Sequence, residues 1–568
     1  MVATLPWMLA CAAGNIELPG GDRVDTSTEA APPADLPGSP DEPDPSDGVF
    51  DVGAVHQIEL SMSAEGWAEI QGNPWVENWH EADFHFESGR DGSTVDVPAI
   101  GIRAFGAGSE IAGKPPLKIS FDRNVVGQRF LNLEQLKLDN SSQDAGYMNE
   151  RVATAVLRRM DVPAARTGWA EVTVNGSHAG FFVLLEPIDD RFLRRCYPDA
   201  DGALFGMISG WYSQGLNPFP VGYGDPLTWY DTQTAVESDG SELTEAAERL
   251  ANGTDAEVEE VIDLDQFLRV GVTRSVMGGI DTFSGDGNNF YLYVHDGRLS
   301  QIPWDLDADL GYPWAYSLAM SVDPRAPWLT SPWSTNPVTG GPYTDPVLLR
   351  HLAMGADPDA VVEEVLAGPF EYALVDAEIV ASAALIEPYV WDDVLGYGPS
   401  FGPRIADLRM FVHQRSSRLA GRDVADCSDP DDGSVPASAL SPTGTVGWGE
   451  LLVDETYWGP GASIAGDHSC GALFAHAPSQ VSIEVPLGMS TLTGRVGAQD
   501  WVQVGGNGMT FQVWQNGVEL WASGVVMNYD KAVSMGSVAV VPGTVELVAG
   551  HNGEYSCDTA VWADVRVR

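Results

Sequence analysis

The sequence predicts an α+β fold followed by an all-β sandwich. Three observations carry that expectation. Alternating runs such as His56-Gln57-Ile58-Glu59-Leu60 and Leu117-Lys118-Ile119-Ser120-Phe121 read as strands. Residues 147–160 and Leu264 to Met277 read as helices, the first with Val152, Ala155, Val156 and Met160 on one face. Residues 445–568 are short apolar runs separated by Gly and Asn turns, the pattern of a sandwich.

The elements follow in order. Residues 1–11, MVATLPWMLAC, are apolar up to Cys11 and resemble the remnant of a bacterial lipoprotein signal, without its basic start; ten apolar residues are too few to span a bilayer. Residues 12–48 are rich in Pro, Asp, Glu and Ser and read as an extended, disordered tether. A first domain is expected over 49–422. It includes a hairpin around Asn175-Gly176 and a mainly helical stretch from 345. Residues 423–444 form a linker by composition, and the sandwich occupies 445–568.

Charge narrows the function. The chain has 30 basic and 81 acidic residues, a net charge of −51. Such a surface repels nucleic acid and anionic membrane, so neither is an expected partner except through a lipid on Cys11. Only four lysines occur, Lys114, Lys118, Lys137 and Lys531. Two of them stand in GKPPLKIS, where a compact ammonium suits a point contact with phosphate. Surface lysines are the competing reading. His80, His351 and His413 lack metal-ligand spacing, and no GxSxG or CxxC motif is present.

Residues 279–311, GIDTFSGDGNNFYLYVHDGRLSQIPWDLDADLG, contain the most informative pattern. An Asp296-Gly297 turn joins two apolar strands. Folding back at that turn brings Asp281, Asn289 and Asp305 to one end of the ladder. Hard oxygen ligands beside a separate carboxylate have the composition of a magnesium–phosphate site. A polar hairpin rim is the competing reading, and Asp286 is a competing carboxylate.

In order along the chain, GIRAFGAGS (101–109), KPPLKISF (114–121), LNLEQLKLDNSSQDAGYMNERVA (131–153), VTVNGSHAGFFVLLEPID (172–189) and the 279–311 stretch resemble the CotH family of spore-coat-H kinase-like proteins. The resemblance implies a bilobal, atypical protein-kinase-like domain using ATP and Mg²⁺ or Mn²⁺. It assigns Lys118, or else Lys114, to the nucleotide phosphates, with Glu150 pairing the lysine. Glu186 would border the adenine, Asp281 would be the catalytic carboxylate, and Asn289 and Asp305, with Asp307, would bind metal. HRD and DFG triplets are missing, and GIRAFGAG is a poor glycine-rich loop around Gly106 and Gly108. The implied activity is phosphoryl transfer to a protein hydroxyl, outside the cytoplasm. An adhesion or scaffold protein that keeps only the fold is the alternative.

TLTGRVGAQDW (491–501), FQVWQNGVELWASG (511–524) and DTAVWADVRVR (558–568) resemble NPCBM-type carbohydrate-binding modules, which implies a surface glycan as partner. Trp501, Trp514, Trp521 and Trp562 are candidates for stacking on sugars, with Trp514 and Trp562 favoured as core residues. Cys470 and Cys557 flank the module and are candidates for a disulfide worth about 4 kcal/mol in the entropic account. Cys196 and Cys427 form a second candidate pair.

Overall fold

The strand alternation of the first domain closes a barrel. The computed structural model describes residues 44–568 except 107–108, 110, 198, 208–225, 229, 235, 286, 312–318, 320–321, 327–344, 421–432, 448, 457–458, 461, 465–466, 470, 500–507, 528–529 and 554–557. Strands β1 (Val55–Met62), β2 (His80–Glu87), β3 (Thr94–Ala104), β4 (Leu117–Ser120), β5 (Gln135–Asp139), β6 (Thr167–Val174) and β7 (Ser177–Leu185) pair in the order β1-β2-β3-β4-β5-β7-β6. A parallel pairing of β1 with β6, from Val55 opposite Trp169 to Leu60 opposite Val174, completes the ring. Every second residue points inward, so Ile58, Phe84, Ile102, Leu117, Ile119 and Leu136 share one core. The intervening Arg103, Lys118 and Lys137 therefore project from the outer face.

Residues 44–48, expected within the tether, belong instead to the folded part. Pro45–Phe50 form a 3-10 helix that buries Val49 and Phe50, and Arg166 hydrogen-bonds to Ser46 and Asp47. The rest of the expected tether and the signal remnant lie outside the described residues.

The second half of the domain surrounds another core. Helix α1 (Ala64–Gly72) lies between β1 and β2, and helix α2 (Asn149–Arg159) follows β5. After α3 (Asp190–Cys196) come β8 (Leu204–Met207), β9 (Tyr230–Thr232), α4 (Ser241–Asn252), α5 (Asp255–Val261) and α6 (Leu264–Val276). The acidic hairpin supplies β10 (Phe290–His295) and β11 (Arg298–Pro303), and the sheet order is β11-β10-β8-β9. Helices α7 (Pro346–Ala353), α8 (Pro358–Ala367), α9 (Tyr372–Asp392) and α10 (Gly398–Leu419) complete it. Helix α2 is buried from Asn149 to Leu157 and packs with α6 in this second core, at the junction with the barrel.

A buried cluster fastens the two halves. Lys114, between β3 and β4, is 1% exposed. Its ammonium lies 2.9 Å from Asp393, just beyond α9, and donates to the carbonyls of Phe181 (2.6 Å) and Asn140 (3.0 Å). Asp393 also accepts from the Phe181 amide at 2.7 Å and the Tyr147 hydroxyl at 2.9 Å.

The C-terminal sandwich forms but begins earlier than 445: Val435–Pro436 pairs with Thr559–Val567 and Thr443–Thr445 with Ser479–Val485, so these residues of the expected linker belong to its sheets. One sheet contains Ala472–His476, Thr559–Val567 and Thr491–Ala498; the other contains Ser479–Val485, Gly543–His551, Met509–Gln515 and Val518–Val526. Both contribute to a shared core, where Trp562 is fully buried edge-on against Phe511 at 5.2 Å. Trp514 is half-buried rather than central, and Trp521 packs at the core margin. Trp501 and the cysteines at 11, 427, 470 and 557 lie outside the described residues. Cys196 carries a free thiol that burial pushes up to about 11. Among the described residues, no helix is long and apolar enough to cross a membrane.

Candidate active site at the acidic hairpin

The hairpin closes at its tip through Asp296 and Gly297, both at positive φ, with His295 opposite Arg298. At its open end Phe290 faces Pro303, and the Trp304 amide donates to the Asn289 carbonyl at 3.1 Å. Asp281 arrives from α6 over Gly279, where a Cβ would stand 2.6 Å from an Asp309 oxygen. Asn288 donates to the Asp281 carboxylate at 2.9 Å, and Asn289 donates its side-chain amide to the Asp281 carbonyl at 3.3 Å. The structure thus brings Asp281, Asn289 and Asp305 together at one end of the ladder.

Arg274, on α6, holds that arrangement and was not singled out by sequence reasoning. It is 1% exposed, and its guanidinium donates to both oxygens of buried Asp309 at 3.1 and 2.8 Å. The remaining donors reach four carbonyls, those of Asn289, Trp304, Asp281 and Asp305, at 3.2 to 3.4 Å. One planar fork therefore ties together the segments that deliver Asp281, Asn289 and Asp305. Its signal in the sequence is a lone arginine among Val270, Val272, Thr273, Ser275 and Val276.

The start of α2 grips the same loop from the barrel side. Asn149 donates to the carbonyls of Asp307 and Asp309, and the Leu306 amide donates to Glu150 at 2.6 Å. Burial, reinforced by Asp305, pushes the Glu150 carboxyl up to about 8. Among the described residues Glu150 pairs with neither Lys118 nor Lys114. The lysine–glutamate pair expected from the resemblance is thus replaced by a glutamate that supports the aspartate loop.

Asp305 is exposed as a residue, although dense protein packs around its carboxyl. Burial, then Asp281, pushes its carboxyl up to about 7, while Arg274 pulls the other way. Burial, then Asp305, pushes Asp307 well above the usual range. Two adjacent carboxyls whose mutual repulsion outweighs the nearby guanidinium hold a proton more tightly than either would alone. Asp305, Asp307 and the amide oxygen of Asn289 are hard oxygen groups of the type that could hold Mg²⁺ if phosphates and water completed its shell. Among the described residues, no group of three or more His, Cys, Asp or Glu is placed to hold a metal by itself.

The cationic wall lies opposite. Across β3, β4 and β5 the register aligns Arg103, Lys118 and Lys137. Burial, then Arg103, lowers Lys118 to about 8. Burial, then Lys118, lowers Lys137 to about 7 against the pull of Asp305. Lys114 lies away from this wall, engaged with Asp393. Glu186 is also engaged: burial raises its carboxyl, but salt bridges to Arg195 (2.6 Å) and Arg166 (2.7 Å) outweigh that and hold it below its usual range.

A second carboxylate steadies the Asp281 loop from behind. Asp345 caps α7 through the amides of Val347 and Leu348 and accepts from Ser284 at 2.7 Å. Burial lifts it from 3.8 to about 6. The folded state holds this proton more tightly than the unfolded chain. The associated stability is complete below pH 3.8 and is lost as pH rises through 6. Asp345→Asn keeps a capping oxygen without the titration. Its stability relative to the parent should therefore rise by about 1–3 kcal/mol between acid and neutral pH, read from denaturant midpoints.

Residues 102–418 match the family model described as CotH kinase protein, more than half of the chain, and the chain belongs to that family. The fold is accordingly kinase-like in its first domain. Residues 433–568 match the NPCBM/NEW2 domain. Among curated proteins, the inner spore coat protein H of Bacillus subtilis (strain 168) is 23% identical over 198 residues, 32% of this chain and 51% of that protein. The chain thus spans about half the length of that relative. Among solved structures, a Helicobacter pylori proinflammatory kinase, CtkA, aligns over 56% of this chain and 95% of its own at 11% identity and a TM-score of 0.26. A CBM51 module of Clostridium perfringens GH95, in complex with methyl-galactose, aligns over 24% of this chain and 99% of its own at 18% identity and a TM-score of 0.22.

Proposed function

We propose that this chain is an exported atypical protein kinase that transfers a phosphoryl group from ATP to a protein hydroxyl and uses its sandwich to bind a surface glycan. The convergence of Asp281, Asn289 and Asp305 on the guanidinium of Arg274 carries the reading. Asp281 orients the incoming hydroxyl and accepts its proton. Lys118 faces the nucleotide phosphates from the barrel. Asn289, Asp305 and Asp307 would hold Mg²⁺ or Mn²⁺, which when bound neutralises charge on the phosphates. Glu150 and Asn149 keep the aspartate loop in place by holding its backbone. Membership in the CotH family and the NPCBM/NEW2 match support the kinase and glycan parts. Attachment through a lipid on Cys11 is the arrangement proposed for the cell envelope.

The second reading, a surface adhesion or scaffold protein, is favoured by the commitment of Glu150 to Leu306 instead of a lysine. Purified chain incubated with γ-labelled ATP and Mg²⁺ or Mn²⁺ tests the choice. Label on the chain or on an envelope protein supports the kinase. No heat of nucleotide binding, with glycan binding intact, establishes the adhesion reading.

A further inference from the structure

Three of the four lysines in this chain stand on or next to β4 and β5, and only one of those three is satisfied by the protein. Lys114 is consumed by Asp393. Lys118 and Lys137 stand opposite each other across β4 and β5 on the outer face of the barrel, where neighbouring strands are about 4.8 Å apart. Among the described residues, neither lysine forms an ion pair or a hydrogen bond. In a chain with 81 acidic residues, two adjacent half-buried ammoniums without a paired carboxylate do not reflect a shortage of anions. Asp189 and Asp305 act on them only at longer range. The Lys137 ammonium lies 3.9 Å above the Trp304 ring, the residue before Asp305, with Phe105 on another side at 5.6 Å. It thus reaches from the barrel to the edge of the aspartate loop.

We infer that Lys137 is a second phosphate-binding cation, acting beside Lys118 on the polyphosphate of the nucleotide, with Trp304 as the platform that holds its ammonium. The inference rests on the nucleotide reading given above. Two like charges side by side are costly until an anion lies between them. A polyphosphate, with charge spread over several oxygens, can bridge both. The tryptophan face holds a cation loosely, whereas phosphate offers charge-assisted hydrogen bonds. The ammonium can therefore swing from the ring to the ligand without losing its place in the cleft.

Calorimetric titration of the full chain with MgATP and with AMP tests this, comparing wild type, Lys137→Gln and Lys531→Gln. The Lys137 change should weaken MgATP by about tenfold to a hundredfold and leave AMP unchanged. Lys531→Gln, the same charge change in the sandwich, should alter neither. Equal MgATP affinity for wild type and Lys137→Gln overturns the inference, as does a parallel loss of both ligands. Normal MgATP binding with a defect confined to the protein substrate would overturn it too. A wild type that binds no MgATP removes both this inference and the nucleotide reading. Should Lys137→Gln not fold, lysine acylation of the wild type, read by mass spectrometry, decides. MgATP should protect Lys118 and Lys137 with Lys531 as internal reference; protection of Lys118 alone overturns the assignment.

Discussion

Asp281→Asn should abolish phosphoryl transfer while leaving the protein folded and MgATP bound. Its Oδ1 accepts from Asn288, and a carboxamide oxygen can accept the same hydrogen bond, so the loop has no reason to move. What disappears is the negative charge and the capacity to take a proton. A positioned general base contributes on the order of 10²–10⁴ in rate, so labelled-phosphate incorporation should fall by about that factor. The same change removes the carboxylate that most strongly raises Asp305, whose carboxyl should become more acidic. Retention of transfer within tenfold of wild type would move the proton-accepting role away from Asp281.

Replacing Arg274 should damage stability and activity through separable routes. Arg274→Met strips the counter-charge from Asp309, which is fully buried. Breaking a buried pair from one side costs about 3–5 kcal/mol, a loss visible in chemical denaturation. Adding Asp309→Leu removes the stranded charge and should recover most of that stability. It cannot restore donors to the carbonyls of Asp281, Asn289, Trp304 and Asp305. The double variant should therefore melt near wild type and still transfer phosphate poorly. Full recovery of both properties would reduce Arg274 to a packing residue.

The sequence made the hairpin legible because turn chemistry and register are local. Asp296-Gly297 dictates the turn, the turn dictates the pairing, and the pairing dictates which carboxylates meet. Helices α2 and α6 were legible for the same reason, since their periodicity lies within a few turns. What escaped is the choice of partners across distance. Lys118 stands ahead of Lys114 in GKPPLKIS only by the family resemblance, and it takes the approach of Asp393 from the end of α9 to separate them physically. Glu150 sits where a lysine partner would be expected, but its position opposite Leu306 depends on how α2 meets the hairpin. The parallel pairing of β1 with β6 has no local signature and turns an expected lobe into a ring. Lys137 had a usable signal in the rarity of lysine, but its role emerged only once β5 was placed beside β4.

The buried cluster around Asp393 has a consequence for how the two halves dock. Prising the barrel from the helical half would expose a desolvated ion pair and break two further hydrogen bonds. Separation would return both charges to water, so the pair itself is weak glue; what it fixes is orientation, because only one docking of the two halves lets Asp393 meet Lys114, the Phe181 amide and the Tyr147 hydroxyl together. Lys114→Met would strand the buried Asp393 carboxylate and should cost about 3–5 kcal/mol of stability, read from denaturant midpoints.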